Sequence, residues 1–154
     1  MRSGDWRRLD PAADGLGKQF AQRLPELWFT ETPGAAITFR FSGTVARVYD
    51  LVGPRCGAVK VVIDGQERGT HNRFDSYCTS YRLQTMGIGG DLEPGVHTVR
   101  LELQPDLLDK RRILEGWAGP NRAVLDLEEA AFAERFTGTH WYVGMLMILG
   151  DIVE

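Results

Sequence analysis

The sequence predicts an all-β fold, an antiparallel β-sandwich with one or two short helices inserted late in the chain. Three observations carry this expectation. Glycine and proline are frequent, 18 and 7 in 154 residues, and they separate short apolar runs, a turn-rich pattern unlike that of a helix bundle. Between residues 36 and 65 three strand-like runs follow one another with turn chemistry at each break. Period-two alternation is clear in AITFRF, AVKVVID and VHTVRLEL, the mark of strands with one buried face. At this length the expectation is a single domain, residues 1–154, able to bury roughly 70% of the surface that its unfolded form exposes.

The elements follow in order. Residues 1–25 offer one apolar anchor, Trp6, then a polar stretch with Pro11, Gly15 and Gly17; they predict a strand near 5–9 and a loop or short helix at 17–24. In LWFTET, Trp28 and Phe29 are adjacent, so on a strand they face opposite sides and one of them is accessible. AITFRF puts Ile37, Phe39 and Phe41 on one face, and Ser42-Gly43 breaks the run. VARVYDL is closed by Gly53-Pro54, because proline cannot donate to a ladder. AVKVVID aligns Val59, Val61 and Ile63 and ends at Asp64-Gly65, a hairpin signal whose type I′ turn needs positive φ.

Alternation then lapses until SYRLQTM, and VHTVRLEL places His97 with Val99, Leu101 and Leu103 on the core face. Leu107, Leu108, Ile113, Leu114 and Trp117 recur at near-helical spacing between Pro105 and Gly119-Pro120, which predicts a short helix. A second helical pattern covers 124–136, so the helical excursion runs over residues 106–136. HWYVGMLMILGDIV closes the chain as a nearly continuous apolar run, expected to be a strand buried on both faces.

Composition excludes several function classes. With 18 basic residues against 21 acidic ones the net charge is −3, which gives no field to attract nucleic acid or an anionic membrane. No apolar run approaches the ~20 residues needed to span a bilayer, and the residues after Met1 form no signal-peptide core. Cys56 and Cys78 permit one disulfide, whose loop of about 22 residues would stabilise the fold by on the order of 3 kcal/mol; the other reading is two small buried thiols. Without C-x-x-C spacing, paired histidines or an acidic cluster, no metal site is expected. Nothing calls for a cofactor.

Catalytic groups are scarce. There are three histidines, His71, His97 and His140, and no G-x-S-x-G turn or comparable nucleophile. No catalytic residue is assigned. Binding uses the residues better: a sugar ring lays its C–H groups on an aromatic face while its hydroxyls seek charged and amide partners. The segment 71–82 interleaves both kinds in His71, Asn72, Arg73, Asp75, Tyr77, Tyr81 and Arg82, to be joined by Trp28 or Trp117.

The succession FSGT, GPRCG, VVIDG, FDSYC, PGVHTVRLEL and WYVGMLMILGDIV resembles the accessory β-sandwich (jelly-roll) domain that accompanies SGNH/GDSL-type esterases in bacterial polysaccharide-degrading proteins. The likeness covers residues 26–105 and 137–154. It implies a jelly-roll type of sandwich and a non-catalytic module that binds an oligo- or polysaccharide or positions an SGNH/GDSL catalytic domain. It further implies a secreted or periplasmic setting. Gly150-Asp151 resembles the first block of GDSL hydrolases, but Ile152 stands where the serine nucleophile would be. The SGNH catalytic motifs are therefore missing. The alternatives are a stand-alone small carbohydrate-active hydrolase and a structural sandwich that makes a protein interface.

Overall fold

The computed structural model describes residues 1–154. In chain order the elements are β1 (Arg2–Ser3), β2 (Arg7–Leu9), α1 (Gly15–Phe20), β3 (Leu27–Thr30), β4 (Ala36–Val52), β5 (Ala58–Ile63), β6 (Gln66–Asn72), β7 (Arg82–Gly89), β8 (Gly95–Leu103), α2 (Lys110–Glu115), α3 (Ala118–Leu125), α4 (Glu129–Phe136) and β9 (Trp141–Val153). Every pairing between these strands is antiparallel. No helix is long and apolar enough to cross a membrane.

Strand β4 belongs to both layers of the sandwich. Its first half, Ala36 to Gly43, pairs with β8, which continues through β5 to β6. Its second half, Ala46 to Val52, pairs on one side with β7 and on the other with β9, which leads through β3 to β2. Ser42-Gly43, expected to end the strand, bends it instead. Gly43 lies opposite Gly150, whose φ is 141°; a Cβ on Gly43 would stand 2.1 Å from the Leu149 carbonyl oxygen, and one on Gly150 would stand 1.8 Å from that of Ser42. Two facing glycines let the backbones approach closely, and a bulge between Gly43 and Val45 turns the strand into the second layer.

The layers enclose one core. Val59, Val61 and Ile63 of β5, Val99, Leu101 and Leu103 of β8 and Phe41 of β4 meet Ala46 and Val48 of β4, Met86 and Ile88 of β7 and Trp141 and Val143 of β9. The alternation read in the sequence is the alternation of this inner face, and each fully buried Val, Leu or Ile there contributes about 1.5–3 kcal/mol. Asp64 and Gly65 both have positive φ, 52° and 75°, as the hairpin between β5 and β6 requires. His97 sits at the rim of its row, half-buried and tilted against Phe41 at 5.6 Å between ring centroids.

Three features differ from expectation. Three helices, not one or two, fill the excursion, and Gly119-Pro120 lies within the first turn of α3 rather than ending a helix. Proline is tolerated there because the first helical N–H groups have no intrahelical acceptor. Strand β9 is buried only at Trp141 to Val143; Met145, Leu149 and Ile152 are exposed, since beyond Val143 its one strand neighbour is β4. Cys56 and Cys78 are free, buried thiols and form no disulfide. Cys56 packs with Leu51 and Tyr142, whereas Cys78 packs with Phe74 and Phe136 in a different cluster.

Candidate functional site

The loop between β6 and β7 is held from below and from the side. Phe74 and Cys78 point inward, packing with Leu114, Val124, Phe132 and Phe136 of the helical excursion. Between them Asp75 closes a tight turn: one carboxylate oxygen accepts from the Tyr77 backbone N–H at 2.9 Å and from the Cys78 thiol at 3.4 Å. The other accepts from the Arg82 guanidinium. This inward–outward pattern throws Tyr77 out to solvent.

Trp117 reaches the same place from 40 residues further along the chain. The Asn121 side-chain amide, buried in α3, donates to the Ser76 carbonyl at 2.7 Å and to the Leu114 carbonyl at 2.9 Å, which pins the helices to the loop. Arg135 of α4 donates to the Thr79 carbonyl at 2.8 Å. The result is an aromatic pair with ring centroids 4.6 Å apart and planes inclined by 54°. Tyr77 is 53% exposed and Trp117 43%. The Arg82 guanidinium lies 5.8 Å from the centre of the Tyr77 ring.

Charge at this platform is fixed by Asp75 and Arg82. Burial acts to raise the Asp75 carboxyl, but its bonds from Arg82, Tyr77 and Cys78 outweigh that and hold it below the usual carboxylate range. Burial also works against the Arg82 charge, and the Asp75 carboxylate overcomes it. The platform is thus two exposed rings edged by one cation and one anion, the kind of surface that grips a sugar by stacking and hydroxyl hydrogen bonds.

The remaining sequence candidates lie elsewhere. Arg73 is 5% exposed and forms a two-point ion pair with the fully buried Asp50. Burial pushes the Asp50 carboxyl up to about 6, against the pull of Arg73 and of the Trp141 indole N–H. Tyr81 fills the space over Gly53 and meets the Tyr142 ring edge-on at 5.5 Å, so its phenol is structural. His71 and Asn72 belong to the β5–β6 ladder, opposite Val59 and Ala58; burial, and next the Arg73 charge, hold His71 below the ordinary imidazole range. Trp28 is covered by the Arg2 guanidinium, 3.2 Å above its ring. Of the nine candidates the structure unites four, Asp75, Tyr77, Arg82 and Trp117.

Other notable groups are scaffold. Lys110, 5% exposed, donates to the carbonyls of Pro54, Phe136 and Gly138 at 3.2, 2.8 and 2.8 Å and ties the helices to the sandwich. His140 contacts the Tyr142 hydroxyl at 3.0 Å and the Glu31 carboxylate at 3.2 Å, without a nucleophile beside it. No group of three or more His, Cys, Asp and Glu residues is arranged to hold a metal ion.

No protein-family model and no curated protein matches the sequence. Solved structures share its fold. The chain aligns over 84% of its length with 29% of a family two carbohydrate esterase from Clostridium thermocellum in complex with cellohexaose, at 14% identity and TM-score 0.51. It aligns over 82% with 28% of a two-domain esterase active on acetylated mannans, co-crystallized with mannopentaose, at 12% identity and TM-score 0.53. It also aligns over 98% with 12% of a Paenibacillus xanthan lyase, at 10% identity and TM-score 0.54. The chain therefore spans less than a third of each of these proteins. It carries the β-sandwich fold that forms one part of such carbohydrate-active enzymes, as the resemblance implied.

Proposed function

We propose that the chain is a non-catalytic carbohydrate-binding module that serves a catalytic domain of the SGNH/GDSL esterase type. The observation that supports it most is the Tyr77–Trp117 pair: two large rings left in water, in contact with each other and flanked by the Asp75–Arg82 pair. Burying such rings against a neighbouring element would be favourable, so a fold that fixes both at the surface suits a ligand with apolar faces and polar edges. The accessory role has further support in the small share of each similar structure that the chain spans. The exposed apolar residues of β9, Met145, Leu149 and Ile152, offer a surface for a partner domain.

The test is a calorimetric or chemical-shift titration with cello-, xylo- and manno-oligosaccharides. Shallow sugar sites desolvate few atoms, and the expected Kd lies in the rough micromolar to millimolar range. Tyr77→Ala and Trp117→Ala should each weaken binding about three- to tenfold, in line with the roughly 0.5–1.5 kcal/mol of a stacking contact. Their midpoints of unfolding should stay near the parent's, because both rings are exposed. A ligand that binds both variants as tightly as the parent would place the site elsewhere, and silence across the panel would sink the carbohydrate reading.

A further inference from the structure

The two layers leave several strand edges without a neighbour, and all but one of them are guarded. Strands β1 and β2 are only two and three residues long and carry Arg2, Arg7 and Arg8. Strand β6, at the other end of the sheet, carries the charges of Glu67 and Arg68 and a bulge at Gly69, whose φ is 125°. Short length, charge and bulges are the devices that keep an edge from pairing with another chain.

Strand β7 lacks them over most of its length. It is eight residues long, and from Leu83 to Gly89 it has no charged residue and no proline. Its one bulge lies near its far end, where Gly87 and Gly89 face Arg47 and Ala46. Strand β4 is its only strand neighbour, and no turn or loop backbone bonds to residues 82–89. The outer row of N–H and C=O groups therefore has no backbone partner, and such groups are obligatory hydrogen bonders. Met86 and Ile88 point into the core, while Thr85 and Gly87 are exposed on the other face. The ends of the strand indicate what fits it. It starts at the Arg82 guanidinium, and beyond its last residue come Asp91 and Glu93, both exposed and neither in an ion pair. An antiparallel strand of the same sequence sets the basic end of each copy beside the acidic end of the other, and a two-fold axis lets each supply the backbone groups that the other needs.

We propose that the free edge of β7 pairs with the β7 of a second copy of this chain, joining two sandwiches through one antiparallel ladder. Continuous inner faces require that residues pointing the same way stand opposite each other. The register centred on the uncharged run meets this condition, with Met86 opposite its own counterpart and Thr85 of each copy opposite Gly87 of the other. The inference does not rest on the sugar-binding reading. The dimer does carry two Tyr77–Trp117 platforms, which a polymeric ligand can engage together.

The experiment combines sedimentation equilibrium with amide hydrogen exchange on the full chain. The expected result is a reversible dimer with a Kd in the rough micromolar range, in which amides within 83–89 gain protection in step with the dimer fraction. Thr85→Lys together with Gly87→Lys sets lysine opposite lysine at two places and should weaken the dimer about tenfold. Thr85→Lys together with Gly87→Glu sets opposite charges there and should return the dimer to about the parent's strength. Both positions are exposed and a Cβ on Gly87 meets nothing within 4 Å, so urea midpoints should stay near the parent's. A parent that stays monomeric up to roughly millimolar concentration, a lysine pair that leaves the dimer as tight, or a lysine and glutamate pair that fails to restore it would each overturn the proposal. So would a dimer whose added protection lies outside β7, a reading taken on the parent that decides the case should a variant unfold.

Discussion

Arg73 and Asp50 meet inside the protein through two parallel bonds, Nε to Oδ2 at 2.8 Å and Nη2 to Oδ1 at 2.6 Å, with the Trp141 indole N–H donating to Oδ2 at 3.2 Å. The pair links the end of β6 to β4 and β9. Removing one member leaves an unpaired buried charge, so Asp50→Asn and Arg73→Ala should each lower stability by about 3–5 kcal/mol in urea unfolding. The double variant should lose much less than the sum. A loss below about 1 kcal/mol for Arg73→Ala would contradict a buried pair.

His97 makes a pH-dependent contribution. Its Nδ1 is 2.7 Å from the Asp64 carboxylate and its Nε2 is 2.8 Å from the Glu93 carbonyl, so both nitrogens face acceptors and the imidazolium satisfies both. The Asp64 bond, then the Glu93 carbonyl, raise the His97 pKa above its ordinary 6.5, while His97 and the Thr98 N–H hold Asp64 below its ordinary 3.8. A raised imidazole stabilises fully below about 6.5 and loses that contribution as pH rises through its folded pKa. A depressed carboxyl contributes above about 3.8 and fades as pH falls through its own. The stability difference between the parent and His97→Gln should therefore be largest near pH 5 to 6 and shrink on both sides, as read from urea midpoints. A difference that is flat with pH would remove the ion pair from the fold's energetics.

The facing glycines give a sharp contrast. Gly150→Ala drives a Cβ into the Ser42 carbonyl in a backbone that L side chains rarely adopt, and Gly43→Ala meets the Leu149 carbonyl. Either should cost more than about 4 kcal/mol and leave much of the protein insoluble. Gly87→Ala, on an exposed stretch of β7 with open space around the new methyl, should stay within about 0.5 kcal/mol of the parent. Comparable thermal midpoints for all three would show that the corner tolerates a wider spacing.

Both thiols should be silent in the native state. Burial pushes the Cys56 thiol far up and the Cys78 thiol to about 11, and the thiolate is the reactive form. Titration of unreduced protein should find no reactive thiol when folded and two after denaturation. None after denaturation would establish the disulfide that the sequence allowed.

The inner faces of β5 and β8 were legible because a period of two is a direct image of one-sided burial, and the Asp64-Gly65 turn because its backbone excludes most residues. What the sequence concealed depended on partners far along the chain. Ser42-Gly43 reads as a stop until Gly150 is known to face it. Arg73 looks like a surface ligand-binding residue until Asp50, within an apolar run, is seen to be its counterion. Tyr77 and Trp117 could be named as candidates, but their contact depends on Asn121, whose amide looks like that of any solvent-exposed asparagine.

The long ladder between β4 and β9 also governs when the molecule can fold. It joins residues such as Tyr49 and Met145, so the central strand of the sandwich waits for the last one to be synthesised. Closing so large a loop adds little to the equilibrium cost, which grows only with the logarithm of its length. The rate is affected far more, because non-local pairing places this topology among the slower folders, in the range of roughly milliseconds to seconds. On the ribosome the β5–β6 hairpin and the β8 pairings can assemble early, while the valines and leucines of their inner faces stay only partly covered until β9 brings Trp141 and Val143. Nascent chains of this fold thus carry incompletely covered apolar strands for longer than a topology built from local pairings would.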